Sequence, residues 1–428
     1  METFEINIGS AQMVEINRDR LLKRFTKYVK IDTAADPSSN QYPSSQGQWV
    51  LGKVLLDELL EMGVQDAEQD ENGLVWGTLP SNSGESSPAV AFVAHMDTSP
   101  EAPSENIQPQ VVECYAGGDL LFTNGAKLTT EECPELEDLV GKTLVCSGGD
   151  TLLGGDDKAG IAIIMELAET LLENPTLQHG PVKILMTCDE EIGRGTDKID
   201  LAKLNAKVAY TIDGGAAGII DVETFSADAA TVQFIGHNIH PAIAKGRMIN
   251  AVRAAGEFIA QLPGLGSTPE STEGREGFIH PYDFSGGVGE AKVELLLRSF
   301  ESSQLDEYAD QLSQICEAIR KQFPGLEVNL EIKNQYRNLR DGLIGLPEAI
   351  DLPVQAFQDL GRNCEKAIIR GGTDGSQLTE KGLPTPNLSS GQYQIHSVRE
   401  FACLDQMIEA IEHLQVLLRL WTNPTTDQ

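Results

Sequence analysis

The stretch Leu152-Leu153-Gly154-Gly155-Asp156-Asp157-Lys158-Ala159-Gly160 decides how the rest of the chain is read. Two adjacent carboxylates sit between glycines, and apolar residues follow at once at Ile161, Ile164, Met165, Ala168, Leu171 and Leu172. That spacing is the stripe of a helix with one buried face. The glycines permit a tight turn that delivers Asp156 and Asp157 at the helix N-terminus. An aspartate there serves as an N-cap or as a favourable charge on the helix dipole. It can instead bridge two metal ions. What else the chain supplies decides between the two.

Working outward, three apolar runs end in polar chemistry. Residues 89–94, AVAFVA, predict a strand covered on both faces, and His95-Met96-Asp97 follows. Residues 182–188, VKILMTC, run into Asp189-Glu190-Glu191, and residues 207–212 run into Asp213-Gly214-Gly215. Helices are expected at 18–30 behind an Asn17 cap, at 48–62 with Gly63 as a left-handed stop, and at 404–420, with a further strand at 73–79. Strands alternating with helices imply an α/β fold with a mainly parallel sheet. In such sheets ligands bind beyond the carboxyl ends of the strands, so the three polar ends should converge.

From about residue 224 the pattern changes to strand 229–236, helix 249–261, strands 277–284 and 290–298, helix 305–322 and strand 326–336. The order βαββαβ is that of a ferredoxin-like α+β unit inserted into the first domain. The expected boundaries are therefore 1–224 with 340–428 for a catalytic metal-binding domain and 225–339 for a lid. Arg370-Gly371-Gly372-Thr373-Asp374-Gly375 is a glycine-rich turn without the lysine of a phosphate loop, and it is not read as nucleotide-binding.

Composition narrows the function. At 428 residues the chain exceeds one ordinary core, and its formal net charge of −33 argues against nucleic acid and anionic membrane as partners. No apolar run approaches the roughly 20 residues that span a bilayer. The acidic start, Met1-Glu2-Thr3-Phe4-Glu5, lacks signal-peptide features, and seven scattered cysteines form no CxxC pair, so the expected compartment is the cytoplasm.

Histidine, aspartate and glutamate without cysteine suit zinc, manganese or cobalt. Two ions about 3.5–4 Å apart need a bridging carboxylate and terminal ligands on each side. Asp156 can be the bridge, His95 and Asp213 can serve one ion, and Glu191 and His396 the other. Glu190 is then free to move protons, and Asp97 could accept the second imidazole N–H of His95. Taken singly, each of these is equally a loop residue, a cap or a solvated charge. His179, His280 and His413 have no comparable setting, and no HExxH occurs.

Six segments in order, AHMDTSP (94–100), TLLGGDDKAGIA (151–162), CDEEIGRG (188–195), IDGG (212–215), HPAIAKGRMINA (240–251) and the run from Arg370 to His396, resemble the M20 family of dizinc metallopeptidases, in particular its tripeptide aminopeptidases. The resemblance covers nearly the whole chain. It implies two divalent ions, most simply zinc, held by His95, Asp156, Glu191, Asp213 and His396, with Glu190 as general base and Asp97 as an orienting catalytic residue. It further implies that His240 and Arg298 of the lid stabilise the oxyanion or hold a substrate carboxylate, and that Asn250 contacts substrate. A short peptide would be the substrate, and a homodimer through the lid is left open. One departure stands out: Ala242 occupies a place where the family commonly has glycine, which puts lid geometry and substrate preference in question. The family also contains carboxypeptidases and deacylases, and a non-catalytic peptide- or metal-binding protein is the remaining alternative.

Overall fold

A computed structural model describes residues 5–8, 11–84, 86–264 and 266–422. The chain divides into two compact units, one of 1–222, 342–367 and 373–428, the other of 223–341 with 368–372.

The larger unit is built on an eight-stranded sheet whose centre is parallel. Asn387–Ser389, Val208–Gly214, Val90–His95 and Val182–Thr187 lie side by side in that order. Val90–His95 is buried along its whole length, which is why its sequence is continuously apolar instead of alternating. The margins differ from the mainly parallel expectation: Val75–Leu79 runs antiparallel to Val182–Thr187, and Ile219–Thr224 runs antiparallel to Asn387–Ser389. Ile219–Thr224 follows Val208–Gly214 after only a short turn, too short for the crossover that a parallel neighbour needs.

The helix Gly155–Glu173 is buried on almost every side. Its close approach to the sheet depends on Gly160, where a Cβ would stand 2.1 Å from the carbonyl oxygen of Ile212. Gln46–Met62 ends, as read, at Gly63 with φ +94°, and Asn17 caps Arg18–Tyr28 through the N–H of Arg20. A second sheet, Gln392–Tyr393, Phe401–Cys403, Leu144–Cys146 and Gln110–Val112, gathers its own apolar cluster, including Phe122, Leu136, Leu144 and Phe401.

The smaller unit has the order βαββαβ with all neighbours antiparallel: Phe278–Gly286, Glu290–Ser299, Ser226–Ile235, Glu327–Tyr336. Val232, Phe234, Val293, Leu295 and Leu297 meet Ala254, Phe258, Leu312 and Ile319 of the helices Ala251–Gln261 and Ser302–Gln322 in one core. This is the ferredoxin-like arrangement. Among the described residues no helix is long and apolar enough to cross a membrane.

Candidate metal centre

Strand register brings the first polar ends together. His95 closes Val90–His95 and stands opposite Thr187, two residues before Asp189. Thr211 stands opposite Val93, so Asp213 arrives level with His95 two residues later. The turn before the long helix adds Asp156, and His396 comes from the loop between the short strands Gln392–Tyr393 and Phe401–Cys403.

The resulting geometry is two triads with one shared member. His95 Nε2 lies 2.9 Å from Asp156 Oδ1 and 3.8 Å from Asp213 Oδ1. His396 Nε2 lies 3.3 Å from Asp156 Oδ2 and 2.9 Å from Glu191 Oε2. Within each triad the donor atoms lie within 4.8 Å of one another. A tetrahedral site with bonds of about 2.0–2.1 Å spaces its ligand atoms about 3.3 Å apart, so both triads have the dimensions of a metal site. Glu191 Oε1 is buried without a hydrogen-bond partner, an oxygen that a cation would satisfy. The five expected ligands therefore meet, and the donor set fits two divalent ions.

Electrostatics follow from crowding carboxylates out of water. Burial and the neighbouring Asp156 hold Asp213 well above the usual carboxylate range, and the same two causes raise Glu191. Burial also raises Glu190 strongly. Asp156 goes the other way: burial opposes its charge, but hydrogen bonds from His396 and His95 outweigh it and hold the carboxyl low. Those bonds to Asp156 and Glu191 push His396 up to about 11. His95 is likewise raised, the bonds to Asp156 and Asp97 overcoming its burial.

The two adjacent aspartates divide the readings offered for them. Asp156 and Asp157 have non-helical backbone angles, so the regular helix begins after them. Asp157 Oδ1 accepts the N–H of Gly160 at 3.1 Å and Oδ2 accepts that of His95 at 3.3 Å, which makes Asp157 the cap and leaves Asp156 for the triads.

Asp97 does more than face His95. His95 Nδ1 is nearer the backbone oxygen of Asp97, at 3.0 Å, than its carboxylate, at 3.5 Å. The carboxylate also accepts the N–H groups of Glu190 and Glu191, each at 3.0 Å. The reason is local: Glu190–Ile192 is one short helical turn whose first N–H groups lack partners of their own. Asp189, with φ +62°, precedes that turn, and its carboxylate accepts from Ser44 and from the side chain of Gln48.

Sequence reasoning missed several supports. Gln392 Nε2 donates to Asp213 Oδ1 at 3.0 Å. Fully buried Lys158 donates to the carbonyl of Ile31 at 2.8 Å, and burial pushes it down to about 8. Glu101 Oε2 lies 3.3 Å from His396 Nδ1. Glu400 accepts backbone N–H groups of the turn ahead of the helix. No spacing rule pairs residues so far apart; Gln392 and Lys158 at least fall within the recognised segments, whereas Glu101 and Glu400 lie just beyond them.

The three lid candidates belong to the smaller unit. His240 is exposed, and its Nδ1 accepts the N–H of Ala242 at 3.2 Å. Ala242 lies in the 3₁₀ turn Pro241–Ile243, a right-handed conformation open to alanine, so the missing glycine leaves no strain there. Asn250 caps Ala251–Gln261 by accepting the N–H of Arg253 at 3.1 Å. Arg298 donates to the carbonyls of Asp228 and Leu297 and lies 5.8 Å from the ring centre of Tyr336.

Comparison with known proteins adds three findings. Residues 222–324 match the family profile described as a peptidase dimerisation domain. The chain is 41% identical over 406 residues to peptidase T of a Geobacillus species, covering 94% of this chain and 99% of that protein. Its fold resembles the aminopeptidase PepT of Bacillus cereus with a TM-score of 0.73 at 22% identity, covering 95% and 99% of the two chains. It also resembles the YXEP protein of Bacillus subtilis, a dinuclear metal-binding peptidase from the M20 family, with a TM-score of 0.63 at 15% identity and coverage of 95% and 98%.

Proposed function

The chain belongs to the peptidase T family of M20 metallopeptidases, and from that premise we propose that it is a tripeptide aminopeptidase working at a centre of two zinc ions. The observation that carries the reading is the pair of donor triads sharing Asp156. His95, Asp213 and Asp156 Oδ1 would hold one ion, and His396, Glu191 and Asp156 Oδ2 the other. Nitrogen and carboxylate donors without thiolate suit zinc at such a site. When bound, the ions supply Lewis acidity toward the scissile carbonyl and ease the ionisation of water.

The chain's own residues do the rest. Glu190 is the general base: it takes a proton from the attacking water and returns it to the amine nitrogen as the C–N bond breaks. Asp97 fixes where Glu190 and Glu191 stand by binding both of their N–H groups. His240, Arg298 and Asn250 are proposed as contacts to the substrate, on the resemblance in sequence. A homodimer through the smaller unit is supported by the match of residues 222–324. The seven cysteines are all free, which supports a reducing compartment such as the cytoplasm.

The test is a panel of tripeptides, dipeptides, N-acetylated tripeptides and N-acyl amino acids, assayed with the chain loaded with zinc, manganese or cobalt. Tripeptides with a free α-amine should be cleaved fastest, at the first bond. Faster turnover of N-acyl amino acids would replace the aminopeptidase reading with a deacylase.

A further inference from the structure

Glu400 is neither a proposed ligand nor the proposed base, yet it is only 1% exposed and both of its oxygens are engaged. Its Oε2 accepts the N–H groups of Leu153 and Gly154, both at 2.8 Å, and its Oε1 accepts that of Asp156 at 3.0 Å. We propose that Glu400 is a positioning residue for the bridging carboxylate, holding the 153–156 turn in the one conformation that lets Asp156 address both triads. The inference rests on the dinuclear reading above.

Three observations carry it. The donors are three of the four N–H groups of the turn 153–156 that precedes the regular helix, where backbone N–H groups lack intrahelical partners. The fit is close: a Cβ on Gly155 would stand 3.2 Å from Glu400 Oε1 and 3.7 Å from Ala402 Cβ, so glycine is what lets the carboxylate seat against the turn. Finally, Glu400 follows His396 by four residues and leads into Phe401–Cys403, a strand paired with Leu144–Cys146 on the near side of the same turn. A single segment thus supplies a ligand of one triad and the clamp on the ligand common to both. Groups that orient metal ligands in this way typically set affinity by a factor of about 10–100.

The experiment compares wild type with Glu400→Gln. The amide keeps the volume but turns one of two acceptor atoms into a donor, which opposes one N–H of the turn. Zinc affinity is read by competition with a chromophoric chelator, and the thermal midpoint of the metal-free form is read separately. Wild type should bind two ions, and Glu400→Gln should bind them about 10–100-fold more weakly with a lower kcat. Should Glu400→Gln not fold, Gly155→Ala, which presses the clamp without changing its charge, carries the test through the same loss of affinity. A lowered metal-free midpoint with wild-type zinc affinity would reduce Glu400 to a structural residue and overturn the proposal. Failure of the wild-type chain itself to bind a pair of ions would instead bring down the dinuclear reading, and this inference with it.

Discussion

Two pairs of neighbouring acids, Asp156–Asp157 and Glu190–Glu191, show how a one-residue step changes what a carboxylate can do. Asp157 spends its oxygens on backbone N–H groups while Asp156 faces two imidazoles. Glu191 contacts His396, and Glu190 has its carboxyl raised by burial. The resemblance distinguishes the two members of each pair, whereas spacing alone offers no such choice, because adjacent residues share every periodicity. Backbone angles and the nearest N–H groups decide. Glu190→Gln should keep both ions while kcat falls by about 10²–10⁴, measured as turnover of a tripeptide alongside metal content. Asn250 permits a finer separation, since it is a helix cap and also a proposed substrate contact. Asn250→Ala should cost about 1 kcal/mol in urea unfolding while Asn250→Ser keeps the cap, and KM should rise in both. An unchanged KM in both would leave the cap as its whole role.

At the scale of elements, what could be read was long and periodic. The strands 89–94, 182–188 and 207–212, the buried helix after Asp157 and the βαββαβ order all announce themselves through apolar runs. The sheet that carries His396 and Glu400 does not, because strands of two or three residues hold too little pattern to detect. His413 was passed over for a related reason: its role comes from packing between helices. It lies stacked on Phe357 at 3.8 Å between ring centres and donates from Nε2 to the carbonyl of Pro353, tying Leu404–Thr422 to Glu348–Asp359. Burial pushes the ring down to about 4, with nearby Arg362 adding to the effect. A histidine that resists protonation only when folded contributes stability that is complete above its unfolded value of about 6.5 and is lost as pH falls toward 4. Between pH 7 and pH 5 the loss is about 2 kcal/mol. Urea unfolding at the two pH values should show that difference in wild type and a smaller one in His413→Gln, which can still donate to Pro353.

Across the whole molecule, a chain with a formal charge of −33 gathers Asp156, Glu191 and Asp213 into one buried site, where like charges oppose one another. Cations that bind there favour the folded state, by about 4 kcal/mol per site at a free concentration a thousandfold above Kd. Chelation should therefore abolish turnover and lower the thermal midpoint, and zinc should restore both. Hydrogen exchange would localise the effect: amides at 153–157, 188–196 and 394–400 should speed up on chelation, and those of Ser226–Ile235 and Glu290–Ser299 should not. Equal acceleration in both units would show that the ions stabilise something other than this centre.

The order in which the centre's residues occur along the chain also matters during synthesis. His95, Asp156 and Asp213 are all made well before His396, so a nascent chain carries one nest of donors long before the second can exist. A ribosome-bound fragment has the fold's apolar strands but lacks half of its chemistry. A chain that stops before residue 396 would hold one donor triad and lack the other, and it should not cleave peptides.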